Sequence, residues 1–253
     1  MKSLTPRLAS EFAEIVYQVM DAGPSQFVRL EASPRLGQSF DLSLNNGPVM
    51  GESGGVFGFF QKTTGFAMVS RGKANYEGHH VLAFRGTKSG HDWLTNGNVG
   101  YSTSSGGTQV HAGFNEAFES MKPALDKLLS PYIRRTAPAG IHCVGHSLGG
   151  ALASLAAEWI KHNYKQSVKL YTFGAPRVGL NSFALGSTHG AAALFRCTHG
   201  ADPVPNVPLW PFVHAPVNGI EYRLDKSKGI DPGAHGMGRK ANPGYRNTTD
   251  TDD

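Results

Sequence analysis

Alternation of short apolar runs with amphipathic stretches predicts an α/β fold, a mostly parallel central sheet with helices on both faces. Three observations carry this. Residues 81–84, 141–144, 168–173 and 193–198 read as buried strands. Residues 114–129 and 151–163 repeat their apolar positions at helical spacing between those strands. The chain has neither an internal repeat nor a low-complexity linker. Its 253 residues, 40% hydrophobic and 17% charged, suit a single domain spanning 1–253 that buries a sizeable core without staples.

The elements follow in order. Near the N-terminus Leu8, Phe12, Ile15/Val16 and Val19 recur at helical spacing, with Arg7, Glu11, Glu14 and Gln18 between them. That is an amphipathic helix packed on a globular body, and it lacks the basic-then-apolar order of a secretory leader. No run of eighteen apolar residues is present, so no membrane span is expected. The expected location is the cytoplasm, export by a route without a signal peptide, or secretion with a leader removed. A Gly-rich stretch over 40–66 contains the turns Asn45-Asn46-Gly47 and Ser53-Gly54-Gly55. Residues 65–71 and 79–85 form a hairpin joined by 72–78. The helix over 114–129 presents Phe114, Ala117, Phe118, Met121, Leu125, Leu128 and Leu129 on one face. The last strand is expected at 220–224. From about residue 239 the tail is polar, ends Asn-Thr-Thr-Asp-Thr-Asp-Asp, and is expected to be disordered.

A formal net charge of +5 is mildly basic, but no Lys/Arg run or Arg-rich helix accompanies it, which argues against a nucleic-acid partner. A weak attraction to anionic membrane surfaces is compatible with that charge, although solubility alone is the plainer reading. The two cysteines, Cys143 and Cys197, sit inside expected strands and read as small core residues rather than a disulfide framework.

Gly145-His146-Ser147-Leu148-Gly149 is a G-x-S-x-G string. Alone it is weak evidence in a chain with 32 glycines. Its context is what counts: a strand enters it and a helix leaves it. A nucleophilic serine needs a sharp strand-to-helix turn that exposes its hydroxyl, with no side chains crowding that turn. Ser147 is therefore the expected nucleophile.

A serine hydroxyl needs a base, and the base needs an acid to orient it. Asp202 follows the strand 193–198 at its carboxyl end, where catalytic groups gather in α/β sheets. Asp225 and Asp231 are later alternatives; a plain turn aspartate before Pro203 is the bland reading of Asp202. For the base, His189 precedes Asp202 and His199 is close to it in sequence, which leaves His214 and His235. His214 precedes the last strand, whereas His235 follows it, in Pro-Gly-Ala-His-Gly-Met-Gly.

Together with Phe84-Arg85-Gly86-Thr87, His111-Ala112-Gly113-Phe114, Thr172-Phe173-Gly174-Ala175-Pro176-Arg177-Val178-Gly179 and Asp202-Pro203-Val204-Pro205, the serine motif resembles the class 3 lipases. These are the filamentous-fungal triacylglycerol lipases and their bacterial relatives, of α/β-hydrolase fold. The resemblance runs from about Gly65 to His235. It implies Ser147 as nucleophile, Asp202 as acid and His235, rather than His214, as base. It also implies an oxyanion hole at Thr87 and Leu148, and a lid over residues 88–99 in which Trp93 and Leu94 are the strongly apolar members before Val99. This chain departs from the family pattern after His235, where Gly236, Gly238 and Pro243 discourage the short helix that relatives carry. So polar a lid predicts modest interfacial activation. The strand order of the fold places 168–173 between the strands of Cys143 and Cys197, about 9.5 Å apart and beyond disulfide reach, so both thiols are expected free.

The resemblance thus implies a serine-dependent ester hydrolase acting on acyl lipids, with a lipid or other acyl-ester substrate and contact with a membrane or lipid-droplet surface. Phospholipase A1 activity, including that of an exported bacterial effector, and a small-substrate esterase are rivals on the same fold. A catalytically dead hydrolase used as a binding protein is the rival from another class; the intact Ser147, Asp202, His235 and oxyanion positions argue against it. The mechanism needs no cofactor. No metal site is expected, since His79-His80 and Asp231/His235 form no recognisable ligand set. Oligomeric state is not legible in these residues.

Overall fold

The computed structural model describes residues 3–53, 62–87, 100–135, 137–186, 194–214, 220–223, 232–237 and 245. Helix α1 (Pro6–Ile15) starts where Thr5 Oγ1 accepts the Leu8 N–H at 3.2 Å and Pro6 fills the first helical position. A 3-10 turn, Val16–Val19, extends it. Then come β1 (Val28–Arg29), α2 (Pro34–Ser39), β2 (Phe40–Asp41), β3 (Ser43–Leu44) and β4 (Val49–Ser53). The antiparallel pair β5 (Lys62–Gly72) and β6 (His79–Phe84) is the expected hairpin, with β5 longer at its start. A short ribbon, β7 (Tyr101–Thr103) and β8 (Gln109–His111), leads into α3 (Ala112–Arg135). The remaining elements alternate: β9 (Gly140–His146), α4 (Leu148–Tyr164), β10 (Val168–Phe173), α5 (Asn181–Gly186), β11 (Leu194–Thr198) and β12 (Ile220–Arg223).

The main sheet runs β12-β11-β10-β9-β6-β5-β2, with β4 also on β5. From β12 to β6 every pairing is parallel; β5, β2 and β4 are antiparallel. The sheet is thus mixed at one side, and its parallel centre is buried on both faces. All six residues of β6 and all seven of β9 are buried, so these strands show no in-and-out alternation, and they carry His79, His80, His142 and His146 into the interior beside their apolar residues.

Each face is covered by different helices. On one, Phe118, Met121 and Leu125 of α3 and Leu152, Leu155 and Trp159 of α4 pack on Leu82, Cys143 and Leu170. On the other, Leu8, Phe12 and Val16 pack on Phe40, Val144 and Tyr171. Phe12 is fully buried, its ring edge-on to Phe40 at 5.0 Å, and contributes about 2–3 kcal/mol. Cys143 and Cys197 are buried and not joined by a disulfide, with β10 between their strands, as expected. Among the described residues no helix is long and apolar enough to cross a membrane. Of residues 239–253, expected as a polar tail, only Tyr245 is described, and it is fully buried.

Candidate active site

Ser147 is the single residue between β9 and α4, the N-cap of the helix. Its backbone has φ 57° and ψ −133°, outside the regions open to ordinary side chains. Such a conformation costs about 1–3 kcal/mol and persists only where the surroundings enforce it. Here the Ser147 N–H donates to Phe173 O at 2.9 Å and its carbonyl accepts the Gly150 N–H at 2.8 Å. The helix begins at Leu148, so the Leu148 N–H lies in the first turn, where helical amides have no carbonyl partner and the dipole favours negative charge. The expectation of a helix from 151 was three residues late.

Asp202, in the turn after β11, is 1% exposed. Its Oδ1 accepts the Val204 N–H at 2.9 Å. Its Oδ2 stands 2.8 Å from His235 Nδ1 and accepts the Tyr245 hydroxyl at 2.6 Å. His235 ends a 3-10 turn, Pro232–His235, after the last strand. The structure therefore brings His235 to Asp202, whereas His214 Nε2 donates to Pro205 O at 2.7 Å. Because Nδ1 must donate to the carboxylate, a neutral His235 presents Nε2 as an acceptor. His235 Nε2 and Ser147 Oγ are both buried and form no hydrogen bond, to each other or to anything else described. The Asp202–His235 link is closed; the His235–Ser147 link is open. Catalytic hydrogen bonds are often this loose before substrate arrives.

Sequence reasoning missed four residues around this site. His146, next to the serine, is buried on β9 with Nε2 2.7 Å from the His235 carbonyl and Nδ1 2.9 Å from Tyr17 Oη. A carbonyl only accepts, so the proton sits on Nε2 and Nδ1 accepts the Tyr17 O–H. Burial, with a smaller effect from His235, brings the His146 pKa down to about 3, consistent with a neutral ring carrying that one proton. Tyr17 Oη in turn accepts the Gly86 N–H at 3.1 Å, and burial pushes its pKa up to about 12.

Arg85 completes the support. Its Nη1 donates to Gly86 O at 2.6 Å and its Nε to Gly65 O at 2.5 Å, with the guanidinium 4.2 Å above the Phe66 ring. Since a trans peptide points its C=O and N–H in opposite directions, anchoring Gly86 O directs the Thr87 N–H away from Arg85. Tyr245 is the fourth: besides Asp202 it accepts the His199 N–H at 3.1 Å, and burial followed by the Asp202 charge raises its pKa well above the usual phenol value. Gly174 makes room for this pair. At φ 57°, a Cβ there would lie 2.8 Å from Asp202 Oδ2 and 2.9 Å from Tyr245 Oη.

The His in the quoted serine motif and the lone aromatic in a polar tail were signals for His146 and Tyr245; nothing local marked Tyr17. The expected lid over 88–99, with Trp93 and Leu94, lies outside the described residues, as do Asp225, Asp231 and His189.

With this geometry in hand, comparisons with known proteins converge. The family description Lipase (class 3) matches residues 81–212, just over half of the chain. A secreted mono- and diacylglycerol lipase of Fusarium solani is 38% identical over 147 residues, which are 57% of this chain and 44% of the relative. Another, of Penicillium cyclopium, is 28% identical over 209 residues, 79% of this chain and 66% of the relative. The chain thus spans less than two thirds of the length of these curated relatives. The crystal structure of a mono- and diacylglycerol lipase from Aspergillus oryzae superposes with a TM-score of 0.59 at 26% identity, covering 83% of this chain and 74% of that one. By the family match, the fold and the ordered motifs together, this chain belongs to the class 3 lipase family.

Proposed function

We propose that the chain hydrolyses carboxylic esters of acyl lipids through an acyl-Ser147 intermediate. The observation that carries this reading is the 2.8 Å Asp202–His235 contact, which leaves His235 Nε2 as an unpartnered acceptor in the same chain as a strained, unpartnered Ser147. The names of the fungal relatives support acyl glycerols as the substrate class.

In the reaction, Ser147 Oγ attacks the ester carbonyl carbon as its proton passes to His235 Nε2. Asp202 holds the resulting imidazolium in place, with Tyr245 and the Val204 N–H holding Asp202. The carbonyl oxygen becomes an oxyanion, stabilised by the N–H groups of Leu148 and Thr87. One such donor is worth about 2.7–4 kcal/mol in the transition state. Collapse expels the alcohol, which takes the proton from His235. Water then attacks the acyl-enzyme by the same route, giving the fatty acid and free Ser147.

The test is hydrolysis of p-nitrophenyl esters from acetate to palmitate, with fatty-acid release from diacylglycerol and from phosphatidylcholine alongside. Activity on long-chain esters and diacylglycerol, lost in Ser147→Ala, is expected. Activity confined to acetate and butyrate would replace the reading with a small-ester esterase, and release mainly from phosphatidylcholine with a phospholipase A1. Folded, inactive wild type would overturn it.

A further inference from the structure

The loop after Asp202 holds two apolar side chains out in water. Leu209 and Trp210 are 73% and 85% exposed, yet the backbone beneath them is pinned on both sides. The Arg177 N–H donates to Val207 O at 2.8 Å and Arg177 Nη1 to Pro208 O at 3.2 Å. On the far side, the Phe212 N–H closes back onto Leu209 O at 3.2 Å, and Val213 N donates to Gly179 O at 2.7 Å. Phe212 itself is buried, its ring 5.6 Å from that of His111. The result is a fixed knuckle with Leu209 and Trp210 at its tip. Two more exposed apolar residues lie on neighbouring elements: Tyr101 on β7, opposite His111, and Leu185 on α5, which packs on β8. Isolated exposed leucines are ordinary, but an adjoining Leu–Trp pair on an anchored turn marks an interaction surface.

A cavity of about 260 Å³ adjoins the knuckle, lined by Arg177, Arg196, Thr198, His199, Asp202 and His214 among others. Arg177 thus joins the two features, bonding the knuckle and lining the cavity. Asp202 is the one carboxylate among the described lining residues, and both its oxygens are already engaged by Val204, His235 and Tyr245. Two guanidiniums with donors in a fixed fork are suited to phosphate oxygens. The formal charge of +5 has the same sign.

We propose that knuckle and cavity together form a docking site for a lipid surface bearing anionic phospholipid. Leu209 and Trp210 enter the interface, where an indole keeps its ring apolar and its N–H wet. Arg177 and Arg196 take a headgroup phosphate. Because Asp202 lines the cavity and also holds His235, docking brings the lipid surface beside the proposed triad. The choice of a lipid as occupant rests on the acyl-lipid reading above.

The experiment is vesicle co-sedimentation of the whole chain in a Ser147→Ala background, so that hydrolysis cannot alter the vesicles. Phosphatidylcholine vesicles with and without phosphatidylglycerol are compared, and soluble p-nitrophenyl acetate hydrolysis is measured separately on the Ser147-containing proteins. Failure of hydrolysis with intact vesicle binding would then count against the ester-hydrolase reading alone. Binding should favour the phosphatidylglycerol vesicles. Leu209→Ser with Trp210→Ser should weaken it about tenfold or more on both vesicle types while leaving acetate hydrolysis unchanged. Arg196→Gln should remove about fivefold from the anionic preference only; circular dichroism checks its fold, and Arg177→Gln is the second variant. Glycerol 3-phosphate should compete with the headgroup. Equal binding to both vesicle types, or full binding by the Leu209/Trp210 variant, would overturn the proposal. So would glycerol 3-phosphate binding, followed by isothermal titration calorimetry, in a chain that binds no vesicle, which would make the cavity a site for free phosphate esters.

Discussion

The imidazole of His146 lies 2.7 Å from the backbone carbonyl of His235, 89 residues further along the chain. It is one link in a directional chain: Gly86 N–H to Tyr17 Oη, Tyr17 O–H to His146 Nδ1, His146 Nε2–H to His235 O. One end holds the peptide next to Thr87, the other the backbone of the proposed base. Tyr17 is thereby a positioning residue for both sides of the site. Tyr17→Phe would leave the Gly86 N–H and His146 Nδ1 without partners, at a cost of about 1–3 kcal/mol. The variant should melt lower and lose kcat on a soluble ester with little change in KM. A lower Tm with unchanged kcat would reduce Tyr17 to a structural role.

Asp202 and Tyr245 should separate in size of effect. Asp202→Asn places an amide against His235 and disfavours the required tautomer, a change worth about 10⁴ in kcat in serine enzymes with this triad. Tyr245→Phe keeps the carboxylate but removes one charge-assisted hydrogen bond, about 1.5–3 kcal/mol, or roughly ten- to a hundredfold if it is felt in the transition state. Steady-state kinetics on p-nitrophenyl butyrate check both. Equal losses in the two variants would mean that Tyr245 does more than hold the acid.

What the sequence revealed, and what it hid, follows from the range of the forces involved. The strand over 168–173 is observed at those bounds because its apolar run and its flanks are local signals. Helix α4 starts three residues before the expected point because Leu148-Gly149-Gly150 has the local character of a turn, and only packing against the sheet makes it helical. Helix α3 reaches Arg135 through Pro123 and Pro131, which local rules treat as stops, with Phe118, Met121 and Leu125 anchored in the core. Ser147 and Asp202 were readable from motifs. Tyr17 was not, because its partners lie 69 and 129 residues away and only the folded sheet brings them together.

Two buried histidines, His142 and His146, and the half-buried His111 give stability a definite acid limb. Burial brings His142 and His146 down to about 3 and His111 to about 4, against 6.5 when unfolded. Above 6.5 all three are neutral in both states and contribute no pH dependence. As pH falls below 6.5 the unfolded chain binds protons that the folded chain refuses, so stability declines towards pH 3–4. Each group adds about 1.4 kcal/mol per pH unit at most. His111 has a structural reason to resist charging, since its Nδ1 accepts the Gly113 N–H at 3.1 Å at the start of α3. Urea midpoints should be flat from pH 7 to 8 and fall below about 6.5. His142→Gln should shallow that slope; an unchanged slope would remove His142 from the account.

The glycines of the serine turn should differ sharply in what they tolerate. A Cβ on Gly145 would lie 2.0 Å from Gly149 O, and one on Gly149 would lie 2.2 Å from Phe84 O. Both contacts are with backbone, which cannot swing aside, so either alanine must push β9, α4 or β6 apart. A Cβ on Gly150 meets the Ala175 methyl at 2.5 Å instead; Ala175 is buried too, but it stands on the loop after β10, where a shift parts no strand pair. Gly145→Ala and Gly149→Ala should therefore each cost about 3 kcal/mol or more, and Gly150→Ala nearer 1 kcal/mol. Chemical denaturation measures all three. Because the turn holds Ser147 at φ 57°, the two costly variants should also lose ester hydrolysis at temperatures where they remain folded. Retained activity in folded Gly149→Ala would show that the turn can relax without moving the serine hydroxyl.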